Sequence, residues 1–344
     1  MVQAQDLATA LAQALRSLPR GWTWGVDLIS DGLQDGILTI RAPDGRTAQL
    51  AVQVKTRFLP SEFAAALPKY RQRAWLLAAP TIGPRSRELM EEAGLSWLEL
   101  AGSDVRIAAG GLYIERLLRK ERRAESGEPG RRYVAAPFSG KALRIVRWLL
   151  IEPDRDWNLG SMAERADVSL GFVSRTFATL VRDAYLGRRP GATRVTDREA
   201  LLDAWASAPG PREQRFERVF VGQGPMGPLS AIRSLGGRVT RPSYALTAEA
   251  AAEQLAPFVR WNQVELYVDE VEKWDQLLDL QPVPRGGNVV LLRSSDDWVF
   301  DGVMRFGDLL TVSRPQLYVD LKGRGGAAAE AADFLRERGE LWPK

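Results

Sequence analysis

Apolar residues recur at helical spacing from Gln3 to Leu18, where Leu7, Leu11, Ala14, Leu15 and Leu18 share a face before Pro19-Arg20-Gly21 stops the helix. Strand-like runs follow: WTWGVDLIS, GILTIRA and, after a PDGR turn, AQLAVQVK. The pattern then predicts a helix over PSEFAAALPKYRQR capped by Ser61 and a buried strand at AWLLAAP. After these it predicts a helix over PRSRELMEEAG closed by Gly94 and a strand at SWLELAG. The order αβββαβαβ predicts a small α/β domain ending near Tyr113.

From Ser139 to Ala206 the period is helical again. Ala142, Ile145, Val146, Leu149 and Leu150 stripe one helix. Asn158 is placed to cap a second, whose Leu159, Met162, Ala163 and Ala166 face inward. The turn Asp167-Val168-Ser169 leads to a third helix, with Val173, Phe177, Leu180 and Val181 at helical spacing. Two short helices joined by a three-residue turn predict a helix-turn-helix, and GRRPGATR predicts a β-wing behind it. Ser169, Leu170, Gly171, Ser174, Arg175, Thr179 and Arg182 fall on or beside the face opposite the core stripe. Arg188, Arg189 and Arg194 belong to the wing, and Lys141 and Arg144 to the first helix. Small residues at the helix start allow close approach to a groove, while hydroxyls and guanidinium groups reach phosphates or base edges.

Beyond a second linker, SAPGPREQ, the pattern is mixed α/β. It ends in QLYVDL, which reads as a buried strand, and the amphipathic helix GGAAAEAADFLRERG. The fold class expected is α/β multidomain. A restriction-endonuclease-like domain spans 1–114, a basic linker 115–138, a winged helix-turn-helix 139–206 and a C-terminal α/β domain 207–344.

The 344 residues include no cysteine and no histidine, which removes disulfides, thiolate nucleophiles, Cys/His zinc sites and histidine acid/base chemistry. An enzyme with this composition works with carboxylates, lysine, hydroxyls or an oxygen-bound divalent metal. No apolar run reaches membrane-span length and the N-terminus lacks a signal-peptide pattern, so the expectation is a cytoplasmic protein with no membrane contact. The net charge of +4 says little about partners, but its distribution says more. Between Glu115 and Trp148 ten cations face four glutamates, a stretch open to reading as a solvated linker or a phosphate-contacting arm. From Ser169 to Arg194 five arginines face only Asp183.

The most enzyme-like spacing is Gln53-Val54-Lys55. PD-(D/E)XK nucleases place an acid on one strand and Glu or Gln, any residue, then Lys on the next, and the αβββαβ order resembles that fold. If PDGR is a four-residue turn, Ala42 pairs with Thr47, which sets Gly36 opposite Gln53 and leaves no acid on that face. Asp27, on the preceding strand, is then the candidate acid beside Gln53 and Lys55. Three readings stay open: a nuclease using Mg2+ or Mn2+, a DNA- or protein-facing remnant of one, and an unrelated small α/β domain.

Three blocks carry a family resemblance. They are VQVKTRFLP with LLAAPTIGPRSRELMEEAGLSWLELAGSDVRI, then SGKALRIVRWLL through MAERADVSLGFVSRTFATL to VTDREALLDAWA, then VSRPQLYVDLKGRGGAAAEAADFLRE. Over most of its length the chain resembles transcriptional regulators related to the AbiEi antitoxins of type IV toxin-antitoxin systems. The resemblance implies operator binding through the winged helix, a C-terminal domain that supports repression or antitoxicity, and no cofactor. The expected partners are double-stranded DNA, a nucleotidyltransferase-like toxin and a second copy of the chain in a homodimer.

Overall fold

The computed structural model describes all residues except 1–3, 17, 19, 30–33, 101–103, 118–136, 209–213, 222–226, 236–242, 259, 295–296 and 343–344. Most of the basic segment, including Arg119, Lys120, Arg122, Arg123, Arg131 and Arg132, thus lies outside the described residues. The chain divides into two compact units. One comprises residues 1–133 with 181–184, the other 134–180 with 185–344.

The first unit begins with α1 (Ala4–Ala14) and an antiparallel meander of β1 (Thr23–Leu28), β2 (Gly36–Arg41) and β3 (Thr47–Val54). Helix α2 (Pro60–Tyr70) crosses over to β4 (Trp75–Ala79), and α3 (Pro84–Glu92) to β5 (Ser96–Glu99); β3, β4 and β5 run parallel. Two further strands, β6 (Val105–Ala109) and β7 (Leu112–Arg116), complete a seven-stranded sheet whose order follows the chain. Alternation along the strands builds a core on each face. Leu38, Ile40, Leu50 and Val52 pack with Leu7 and Leu11 of α1, while Ala51 and Leu77 join Phe63, Tyr70, Trp75, Met90 and Trp97 on the other side. Ser61 does not cap α2, because the helix starts at Pro60 with Leu59 as its N-cap.

The β2–β3 hairpin differs by one residue from the register expected. Gly45 takes φ +87°, its N–H donates to the Ala42 carbonyl, and the Ala42 N–H donates to Arg46. The loop between the paired Ala42 and Arg46 is therefore Pro43-Asp44-Gly45, one residue shorter than PDGR, and the ladder pairs Arg41 with Thr47, Leu38 with Leu50 and Gly36 with Val52.

The second unit opens with α4 (Gly140–Ile151), α5 (Leu159–Ala166) and all but the last two residues of α6 (Leu170–Arg182), then a hairpin of β8 (Leu186–Arg189) and β9 (Ala192–Val195) and helix α7 (Arg198–Ser207). The rest winds a second seven-stranded sheet. In chain order its strands are β10 (Gln214–Phe220), β11 (Tyr244–Thr247), β12 (Val264–Val268), β13 (Leu280–Pro282), β14 (Val289–Arg293), β15 (Met304–Phe306) and β16 (Leu309–Thr311). Across the sheet the order is β13-β10-β14-β12-β11-β16-β15. Helices α8 (Gly227–Leu235), α9 (Ala248–Leu255), α10 (Val271–Leu277), α11 (Arg314–Arg324) and α12 (Gly326–Glu337) accompany it. QLYVDL is not a strand. Pro315 sits in the first turn of α11, where its missing N–H costs nothing, and Leu317, Tyr318 and Leu321 are buried at helical spacing.

Buried polar contacts tie the three-helix segment to this sheet. Arg147 of α4 donates from Nε to Gln316 Oε1 of α11 at 3.1 Å, and Gln316 Nε2 donates to Asp320 at 2.7 Å. Asp320 also accepts from the Thr247 and Tyr267 hydroxyls. On α7, Asp203 accepts from Tyr318 of α11 and Arg336 of α12. No helix among the described residues is long and apolar enough to cross a membrane.

Candidate nucleic-acid interface

Local hydrogen bonds set the angle between α5 and α6. The Asn158 side chain accepts from the Ser161 N–H at 2.8 Å, satisfying one of the free donors at the start of α5. Asp167 adopts φ +47°, a left-handed residue that ends α5 and turns the chain within three residues. Ser169 then receives the Phe172 N–H at 3.3 Å and caps α6. Val173, Phe177 and Leu180 of α6 are buried against this scaffold, leaving Leu170, Gly171, Ser174 and Arg175 exposed along its first two turns. The Arg175 guanidinium lies 6.0 Å from the Phe172 ring, and its terminal nitrogen passes beside Gly171, where a Cβ would stand 3.6 Å away.

The hairpin turns at Pro190-Gly191. Pro190 fixes its own φ, Gly191 takes φ +71°, and a bridge between Trp157 and Thr193 fastens β9 to the segment between α4 and α5.

The candidate DNA contacts occupy three kinds of environment. Lys141, Leu170, Gly171, Ser174, Arg175 and Arg188 are exposed, and among the described residues neither Lys141, Arg175 nor Arg188 has a carboxylate partner. Arg182, Arg189 and Arg194 are exposed or half-buried but held. Arg182 pairs with Asp183 at 2.9 Å, Arg189 with Asp156 at 3.8 Å, and Arg194 with Asp154 and Asp156 at 3.4 and 3.9 Å. Arg144 is half-buried and stacked, and Thr179 is buried. The Arg144 guanidinium lies 4.3 Å from the Trp298 ring, and buried Thr179 donates its hydroxyl to the Arg175 carbonyl. Asp154 and Asp156, which neutralise Arg189 and Arg194 of the hairpin, stand in the sequence only as part of a short acidic run some thirty residues before it.

The nuclease-like spacing is also placed. Asp27 pairs with Ile37, and Ile37 with Ala51, so Asp27 shares the face of Gln53 and Lys55 but lies two strands, about 10 Å, from β3. The shifted register brings a different acid near. Asp35 stands one residue beyond the ladder, and its Oδ2 accepts the Val54 N–H at 2.7 Å, between Gln53 and Lys55. Gln53 Oε1 accepts the Tyr70 hydroxyl at 2.6 Å, and burial pushes that hydroxyl above its ordinary pKa, keeping it a donor. The donor set is one carboxylate with an oxygen already engaged and one neutral amide, a poor match for a hard divalent cation. In the C-terminal part, Arg233 donates to Gln254, while Arg238 and Arg241 lie outside the described residues.

Residues 194–339 match the family model described as transcriptional regulator, AbiEi antitoxin, type IV TA system. That region is similar to the AbiEi antitoxins. The AbiEi region starts within β9 and runs to the end of α12, taking in α7 and the whole second sheet, and so leaves out α4 to α6 and the first unit. The resemblance seen across most of the sequence is thus matched over this stretch. No curated protein and no solved structure matches the chain.

Proposed function

We propose that this protein is a double-stranded DNA-binding transcriptional regulator of the type IV antitoxin kind, in which α4 to α6 and the β8–β9 hairpin act as a winged helix on operator DNA. The observation that carries the reading is α6. It is capped at Ser169, its core face is buried, and its exposed edge holds small residues, a hydroxyl and an arginine free of carboxylate partners among the described residues. The AbiEi family of residues 194–339 supports it independently. On this reading the protein acts in the cytoplasm without a cofactor. Its AbiEi region serves a cognate nucleotidyltransferase-like toxin, and a homodimer reads an inverted repeat. Titration of the purified protein against DNA from upstream of its own gene, with bulk DNA as competitor, tests this. Binding with no preference for any genomic fragment contradicts it.

A second reading, a divalent-metal-dependent deoxyribonuclease, gains one point from Asp35 lying beside Gln53 and Lys55. It loses more from the neutral Gln53. Incubation with plasmid, linear and single-stranded DNA in Mg2+ or Mn2+ separates the two. Cleavage abolished by Lys55→Ala supports the nuclease, and intact DNA supports the regulator.

A further inference from the structure

From Glu152 to Glu199 carboxylates and cations are equal in number. Ion pairs hold Arg155, Arg165, Arg189, Arg194 and Arg198 to Glu152, Asp154 and Asp156. A surface neutralised in this way exerts little long-range pull on a polyanion. The first unit presents the opposite case around α2. From Lys55 to Arg73 the cations are Lys55, Arg57, Lys69, Arg71 and Arg73, and the one carboxylate is Glu62. None of the five cations has a carboxylate partner among the described residues.

Three of them are nonetheless held in place. Lys69 and Arg73 rest over the ring of buried Trp75, at 5.2 and 4.4 Å, and Lys55 rests over buried Phe58 at 5.5 Å. Ordering the stems while the charges stay uncompensated lowers the entropy cost of meeting an anion. The helix dipole accounts for cations at the C-terminal end of α2 but opposes Lys55 and Arg57 ahead of its N-terminus, so helix stability does not explain the set. The same surface carries a neutral amide at Gln53, its oxygen held by Tyr70, where a carboxylate would repel phosphate. Helix α2 is roughly 16 Å long, and a duplex laid along it offers about nine phosphate charges.

We propose that the α2 surface of the first unit, Lys55 with Arg57 at one end and Lys69, Arg71 and Arg73 at the other, binds the phosphodiester backbone of duplex DNA without regard to sequence. It supplies affinity, and α6 supplies selection. The proposal rests on the DNA-binding reading above.

The test is the salt dependence of full-chain binding to a random-sequence duplex and to DNA from upstream of the gene, by fluorescence anisotropy. The triple variant Arg57→Ala, Arg71→Ala, Arg73→Ala lowers the slope of log K against log salt by about 2–3 and weakens both duplexes on the order of 10–100-fold near physiological salt. The ratio between the two duplexes is unchanged, and lysines at the three positions restore most of the loss. A folded triple variant with wild-type slope and affinity overturns the proposal while leaving the DNA-binding reading intact. Wild-type protein that binds no duplex at low salt overturns both. Acetylation of the wild-type chain decides the matter if the variant does not fold. Saturating duplex protects Lys55 and Lys69 but not Lys273, which pairs with Asp269 in the second unit; equal modification of all three with and without DNA contradicts the proposal.

Discussion

Among the described residues Arg175 and Arg188 are arginines of the proposed DNA face without a carboxylate partner, and they stand in different relations to the proposed duplex. Arg175 leans over Gly171 at the start of α6, the end that the proposed binding mode sets against base edges. Arg175→Ala is expected to cost about 1–3 kcal/mol on the preferred site and little on random DNA, which competition binding measures as a flattened preference. Arg188→Ala weakens all duplexes alike. Arg189→Ala has the smaller effect of the two, because Asp156 already holds that side chain. Equal losses for the two wing variants would show that the Asp156 pair has no influence on binding. The identity of these residues was legible in the sequence; their ion pairing was not. Asp154 and Asp156 meet Arg189 and Arg194 only after β9 folds back on the chain ahead of α5. Likewise Thr179 stands one turn from Arg175, and packing alone decides that it is buried.

At the scale of elements, the stripes of period 3.6 located α4, α5 and α6, and the Asn158 and Ser169 caps were readable because each bond is local. Two elements depart from their local pattern, where it competes with another constraint. PDGR looks like a four-residue turn, yet Gly45 in the left-handed region closes a three-residue loop and moves every β2–β3 pair by one, which brings Asp35 rather than Asp27 to Gln53. QLYVDL has strand composition, but Pro315 in the first turn and the 317/318/321 burial make it a helix. Strands β6 and β7 are short, five residues each, and their one local mark is the two-residue turn Gly110-Gly111 between them. The wing turn depends on Gly191 in the same way. Gly191→Val is expected to cost roughly 1 kcal/mol in hairpin stability and to lower DNA affinity while removing no contacting charge, a change visible by comparing melting with binding. Helix α11 is pinned by Asp320, so Asp320→Leu, which removes the acceptor of the hydroxyls of Thr247 and Tyr267 and of the amide of Gln316, should destabilise by about 3 kcal/mol in urea.

At the scale of the molecule, the second unit carries the three helices and the AbiEi region together. Burial and the Asp203 carboxylate push the Tyr318 hydroxyl well above the ordinary tyrosine value of 10.0. Because the folded pKa is raised, the stability this group contributes is complete below about pH 10 and declines above it, as the unfolded chain ionises first. Denaturation followed from pH 9 to 11 should show that decline, and Tyr318→Phe should reduce it. The central claim, that the chain is a sequence-selective DNA-binding regulator, is tested most directly by competition between DNA from upstream of its own gene and bulk DNA at fixed, physiological salt. The account predicts a preference on the order of 1,000-fold that Arg175→Ala sharply reduces. Equal affinity for both DNAs, untouched by that substitution, would contradict it.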